Sequence, residues 1–272
     1  MTDLPVLGAA LSINGFKVHR ELMLARPRDL ELQDFISADL LNGNWQESVD
    51  TALKLLDGHE GRRGIHGPFW GFTLDAMDPE VRSIVKKRLL QGLDVCERLG
   101  GTHMVVHSPF STWDYNNLDN YDRGRERKIE LCQETMGPAV KRAEDIGCEL
   151  VIENIEDKDP NDRLRLAQSF GSTAVKVSID TGHAHYAHGS TGAPPVDYYV
   201  KAAGDMLAHV HLQDADGYAD RHWALGEGTI NWPSVFEALS KIGSKPRLII
   251  ELRDHNGVPE SIAKMAALGL AQ

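Results

Sequence analysis

The chain has 272 residues, 42% hydrophobic and 25% charged, with a formal net charge of −11. That length suits one α/β barrel with an ample core, and the acidic balance argues against nucleic acid gripped through its phosphates and against an anionic membrane surface. No stretch reaches the roughly 18 apolar residues of a membrane span, the first residues lack a signal peptide's basic and apolar regions, and Cys96, Cys132 and Cys148 form no CxxC pair, so a reducing, cytoplasmic setting is expected.

Leu7 to Ile13 is a short apolar run ending at Asn14-Gly15, and reads as the first strand. Lys17 to Ala25 reads as a short helix stopped near Pro27. Leu30 to Phe35 is the second strand, and residues 36–44 form the loop after it. Val49, Ala52, Leu53 and Leu56 are spaced as one face of a helix over Gln46 to Leu56. Gly64-Ile65-His66 is a strand tip that runs into a loop with Phe69 and Trp70. Asp78 is an N-cap and Pro79 the first residue of a long helix that Gly100-Gly101 ends.

Thr102 to His107 is a continuous apolar strand ending in histidine. Residues 111–124, with Trp113 and Tyr115, read as a polar loop. A second long helix covers Arg125 to Ile146, closed by Gly147. Cys148 to Ile152 is a strand ending in Glu153, and Pro160 to Phe170 a short helix. Val175 to Ile179 is a strand ending in Asp180-Thr181-Gly182-His183. Residues 186–195 read as a Gly/Pro-rich loop, and Val196 to Met206 as a helix. Leu207 to Leu212 is a strand carrying His211, followed by a loop with Asp216, Asp220, Arg221 and His222. Trp232 to Ile242 is a helix, Leu248 to Ile250 a strand ending in Glu251, and Pro259 to Leu268 the last helix. Continuous apolar strands suit a parallel sheet covered on both faces. The repeated strand–helix order makes a TIM (β/α)8 barrel the expected α/β fold, with residues 1–272 as a single domain.

The polar residues sit just after the apolar runs, where such a barrel gathers its catalytic groups. They are His66, His107, Glu153, Asp180, His183, His211 and Glu251, with Asp220 and His222 from the loop. Buried together, these charges need compensation, and divalent cations supply it. Nitrogen and oxygen donors without thiolate suit Zn, Mn, Co or Fe better than Ca. Glu153, Asp180, His211 and Glu251 make one five- or six-coordinate site, and the other five residues offer a second or third. Phe69, Trp70, Trp113 and Tyr186 are candidate pocket walls, and Arg221 is a candidate anion or hydroxyl binder. Asp214 could orient a ligand histidine from behind. His185, His188, His209 and His255 read as structural or solvent-facing. His209 starts on the same strand face as His211, one layer deeper. Among Glu156, Asp157 and Asp159, spacing does not say which points inward. The Gly226 to Gly228 turn is a weak candidate for a phosphate handle.

These motifs resemble the xylose isomerase-like barrels: Gly-Ile-His66, Val-Val-His107, Val-Ile-Glu153-Asn, Ile-Asp180-Thr-Gly-His183, Val-His211-Leu-Gln-Asp, Asp220-Arg-His222 with Leu-Gly-Glu-Gly, and Ile-Ile-Glu251. That group joins sugar isomerases and epimerases of the tagatose 3-epimerase type with abasic-site nucleases of the endonuclease IV type. The epimerase resemblance implies one cation (Mn, Co, Mg or Zn) on the residues matching Glu153, Asp180, His211 and Glu251. It also implies proton transfer by the two glutamates, with His183 and Arg221 on substrate oxygens. The nuclease resemblance implies several zinc ions on nine side chains, all matched here. The chain departs from the nuclease in its first loop, Leu11 to Gly15. It departs again after the second strand, where residues 36–44 contain no Arg or Lys.

The leading expectation is a divalent-metal-dependent isomerase or epimerase of a sugar or keto-polyol, working through an enediolate. Glu153, Glu251, His183 and Arg221 would act on a carbohydrate-like substrate lined by His66, Trp70, His107 and Trp113. The alternative is a multi-zinc phosphoesterase resembling endonuclease IV. A lyase on the same enediolate chemistry, or a binding protein without catalysis, completes the set. The family resemblance also allows a homo-oligomer.

Overall fold

The apolar runs are buried on both faces, and this decides how they pair. The structure, a computed structural model, describes residues 4–272. Its strands are β1 (Gly8–Leu11), β2 (Leu30–Leu32), β3 (Arg63–His66), β4 (His103–His107), β5 (Glu149–Glu153), β6 (Val175–Asp180), β7 (Leu207–Leu212) and β8 (Arg247–Ile250). All neighbours are parallel, and β8 pairs with β1, so the sheet closes into a barrel with no free edge. Helices cover the outside, and their apolar stripes join the strands' outward residues in one core. The expected (β/α)8 barrel is therefore the fold.

Local chemistry sets the helix limits. Asp78 caps the helix Pro79–Leu99 by accepting from Glu80 N at 2.7 Å. Gly100, at φ 67°, and Gly147, at φ 69°, end the two long helices in the left-handed conformation that glycine adopts without strain. No helix among the described residues is long and apolar enough to cross a membrane.

Three stretches read as loops carry helices instead. Residues 36–44 contain Ala38–Asn42, capped by Ser37. Residues 111–124 contain Thr112–Asn117, started by a reciprocal capping box between Ser111 and Asp114. Residues 186–195 overlap the helix Thr181–Thr191, which begins directly after β6 with Asp180 as its cap. Its buried face is only Thr181, Gly182, Ala184 and Ala187, so no large apolar stripe announces it in the sequence. The first strand ends earlier than expected, because Ser12 caps a helix Ile13–Val18. The second also ends early, at Leu32, and a short turn of helix holds Asp34–Ile36.

Candidate metal centre

In a closed barrel every second strand residue points inward, so residues two apart stack in layers. The upper layer is built by His66 (β3), His107 (β4), Glu153 (β5), Asp180 (β6) and His211 (β7), with Glu251 just past β8. Glu153, Asp180, His211 and Glu251 are buried, and each offers a ligand atom within 4.8 Å of the others. His211 Nδ1 lies 2.6 Å from Glu153 Oε1 and 3.4 Å from Glu251 Oε2. Among the described residues Glu153 Oε2 and Asp180 Oδ2 have no hydrogen-bond partner, and both are buried. Buried anionic oxygens that accept no hydrogen bond are expensive unless a cation lies beside them. The donor set fits a divalent metal with mixed nitrogen and oxygen coordination.

Two further groups flank this quartet. His66 and His107 join Glu153, and His183, Asp220 and His222 form the other. Second partners orient several of these imidazoles. His66 Nδ1–H donates to Gly67 O at 2.9 Å, and His183 Nδ1–H donates to Asn154 O at 2.9 Å. Each ring thereby turns Nε2 toward the site, as metal-ligating histidines do. His66 Nε2 and His107 Nε2 approach to 3.3 Å. His183 Nε2 and His222 Nε2 both reach Asp220, at 3.5 and 3.2 Å. His222 has φ 51°, a strained conformation for a side chain with a Cβ, and Gln213 Oε1 holds its N–H at 2.8 Å.

The charges are tightly coupled. Burial works to raise the Glu153 pKa, but the charge and hydrogen bonds of His211 and His66 hold it well below the usual carboxylate range. Burial would lower His211, and Glu251, Glu31 and Glu153 lift it well above an ordinary histidine. Asp180 is pushed up to about 6, chiefly by burial. His222 stands at about 9, because Asp220, Asp180 and Glu251 overcome its burial. His107 is driven down to about 3 by burial.

A recess of about 470 Å³ opens over the quartet, a volume in the range of small-molecule sites. Phe69 and Trp70 form one wall, and Phe69 stacks on His107 with ring centroids 4.0 Å apart. Trp113 stacks on Tyr121 and, like Tyr186, is not among the lining residues. Arg221 does not line it either. Its guanidinium is paired with Asp216 at 2.8 Å and lies over Trp223 beside a neighbouring recess. Arg253 is among its lining residues.

Several residues escaped the sequence reading. Glu31, on β2, reaches His211 from below; it sits in a three-residue strand with no motif to mark it. Gln33 Nε2 donates to Glu251 Oε1 at 2.7 Å. Gln213 Nε2 donates to Asp180 and Asp220, at 3.1 and 2.9 Å. Asp214 orients no histidine. It accepts from Gly226 N, Ile230 N and Trp232 Nε1, and so pins the loop after β7. That also engages the Gly226 N–H proposed for a phosphate. None of the three carboxylates after Glu153 turns into the quartet. Glu156 accepts from Thr112 N, Asp157 from Ser108, and Asp159 caps the helix Pro160–Ser169.

The closed parallel barrel and the carboxylate–imidazole donors at its strand ends define a β/α-barrel protein with a candidate cation centre. The chain belongs to the xylose isomerase-like TIM barrel family, whose model matches residues 32–269. It is 26% identical to the uncharacterized protein MJ1311 of Methanocaldococcus jannaschii, over 75% of this chain and 69% of that one. Its fold is similar to that of the TTHB071 protein from Thermus thermophilus, solved after soaking with ZnCl2. The TM-score is 0.72 at 24% identity, covering 98% of this chain and 99% of that one. It is also similar to a D-tagatose 3-epimerase-like protein, with TM-score 0.77 at 21% identity over 97% and 98% of the two chains.

Proposed function

We propose that this protein is a divalent-metal-dependent isomerase or epimerase of a sugar or keto-polyol. The observation that carries the reading is the placement of Glu153 and Glu251, 2.6 and 3.4 Å from His211 Nδ1, under a small recess walled by aromatics. A divalent cation on Glu153, Asp180, His211 and Glu251 would supply Lewis-acid polarisation of a carbonyl and its neighbouring hydroxyl.

The chain's own residues do the rest. Glu153 keeps Oε1 on His211 and Oε2 without a partner, so Oε2 is available to take a proton from the carbon beside the carbonyl. Glu251, which accepts from Gln33 Nε2 at 2.7 Å, takes a proton from solvent and gives it to the carbon, and Glu153 releases its own proton to solvent. His183 is held above its ordinary pKa by Asp180 and Asp220 against the effect of burial, so it donates to a developing oxyanion. His66 and His107 face Glu153 Oε2, at 3.7 and 3.5 Å, and are placed to hold a substrate hydroxyl. Phe69 and Trp70 exclude water from the reacting carbon. Arg221 serves substrate only by leaving Asp216, whereas Arg253 already borders the recess. Trp113 contributes only if the segment carrying it moves inward.

A second reading rests on the two flanking donor groups. With all three groups filled, the site has the means for multi-zinc phosphoester hydrolysis, Glu153 being shared between two groups. The −11 net charge and a 36–44 stretch free of Arg and Lys disfavour a nucleic-acid substrate for it.

The test is solvent exchange. Protein loaded with Mn, Co or Zn is incubated in deuterium oxide with a panel of ketoses and keto-polyols. Deuterium entering the carbon beside the carbonyl, and lost in Glu153→Gln, is the expected result. No uptake across the panel, with turnover of a phosphodiester instead, overturns the isomerase reading in favour of the second.

A further inference from the structure

Beneath the quartet lies a second polar layer, deep in a barrel interior usually filled by branched apolar side chains. Glu31, His103 and His209 are each fully buried there. Among the described residues no Lys or Arg pairs with Glu31, and three imidazoles surround it. Oε1 accepts from His211 Nε2 at 2.9 Å. Oε2 accepts from His103 Nε2 at 3.2 Å and lies 3.1 Å from His209 Nε2. Ser178 Oγ, 2.8 Å from His209 Nδ1, holds that ring from its other side. Gly64 makes room for the layer: a Cβ there would lie 2.3 Å from His103 Nδ1.

We propose that Glu31 is a positioning residue for the cation centre, fixing His211 as the Nε2–H tautomer so that its Nδ1 lone pair faces Glu153, Asp180 and Glu251. An ionised carboxylate only accepts hydrogen bonds, so the atom of His211 that meets Glu31 must carry the proton. In the neutral ring that a cation requires, the other nitrogen is then an acceptor 2.6 Å from Glu153 Oε1. Two acceptors that face each other are satisfied together by a positive ion. Glu31 also adds negative charge behind the ring, which makes the imidazole a stronger donor. His103 donates to Oε2 and so keeps Glu31 Oε1 on His211. The inference rests on the quartet being the cation site.

The same layer offers a carboxylate and two imidazoles to a cation of its own. Glu31 already has an N–H donor on each oxygen, so the positioning role accounts for the contacts without one.

The experiment measures Co²⁺ affinity by chelator competition in wild type, Glu31→Gln and Asp180→Asn, with folding followed by near-ultraviolet circular dichroism. Gln keeps the shape and one acceptor but loses the charge. Affinity in Glu31→Gln is expected to fall about 10–100-fold at unchanged stoichiometry, the size of effect seen for outer partners of metal ligands. Wild-type affinity in folded Glu31→Gln overturns the proposal and leaves the quartet reading intact. Loss of one whole ion from Glu31→Gln also overturns it, in favour of an interior cation site. Asp180→Asn binding like wild type overturns the quartet itself. Should Glu31→Gln fail to fold, long-range ¹H–¹⁵N spectra of zinc-loaded wild type read the tautomer directly. His211 protonated at Nε2 upholds the proposal, and His211 protonated at Nδ1 sinks it.

Discussion

Asp180 Oδ1 accepts from the backbone N–H of His183 at 2.7 Å, while Oδ2 is buried with no hydrogen-bond partner among the described residues. One oxygen builds the helix that follows β6, and the other faces the cation centre. The structural and functional duties of this residue can therefore be separated.

Asp180→Asn is expected to stabilise the metal-free protein while abolishing binding at the quartet. The Asp180 carboxyl is raised from 3.8 to about 6, chiefly by burial. Its ionised form is thus disfavoured in the fold. The penalty is absent below pH 3.8, grows with pH, and is complete above about pH 6. Asn keeps the Oδ1 cap and removes the charge. At pH 8 the gain is about 1–3 kcal/mol, since each tenfold change in acidity is worth at most about 1.4 kcal/mol. Thermal unfolding without metal should show a higher Tm, and zinc-saturated Asp180→Asn should hold one ion fewer than wild type, since the two flanking groups do not include Asp180.

Metal affinity is expected to climb with pH. A cation competes with protons for its ligands. In the metal-free protein Asp180 loses its proton near pH 6 and His222 near pH 9, and His211 is also held above its ordinary value, against burial, by Glu251, Glu31 and Glu153. Binding near neutrality must therefore release protons. Chelator competition across this window should give a rising log K, and calorimetry in buffers of different ionisation heat should detect the release. A flat profile would show that the titrating groups are not ligands.

The three donor groups set an expected stoichiometry. Zinc-saturated wild type should hold up to three ions by elemental analysis, one for each group around the upper layer. A His66→Ala/His222→Ala double variant removes a donor from each flanking group and should retain the central ion. One ion in both proteins would confine function to the quartet.

Asp214→Ala is expected to unfold the loop after β7 locally and lower Tm. Asp214 is fully buried and accepts from Gly226 N, Ile230 N and Trp232 Nε1. Losing those acceptors strands buried donors, at about 1–3 kcal/mol for each unsatisfied group. Hydrogen exchange should speed up at Gly226 and Ile230. Zinc affinity at the His183–Asp220–His222 group should weaken, because that loop carries two of its members.

Short apolar runs ending in His, Glu or Asp located β3 to β8 and the six upper-layer donors from sequence alone, since burial and the change to polarity are properties of neighbouring residues. Asp78-Pro79 and Gly147 marked helix ends for the same local reason. Helices 112–117 and 181–191 were hidden because capping started them without any large apolar periodicity. Only the closed barrel decided what lies across it. Glu31 meets His211 over 180 residues of chain and Gln33 meets Glu251 over 218, separations at which no spacing rule operates. The division of nine donors into three groups, the retreat of Arg221 onto Asp216 and the approach of Arg253 to the recess were decided there too. Strand register and side-chain packing fix those distances, and both exist only once the sheet has closed.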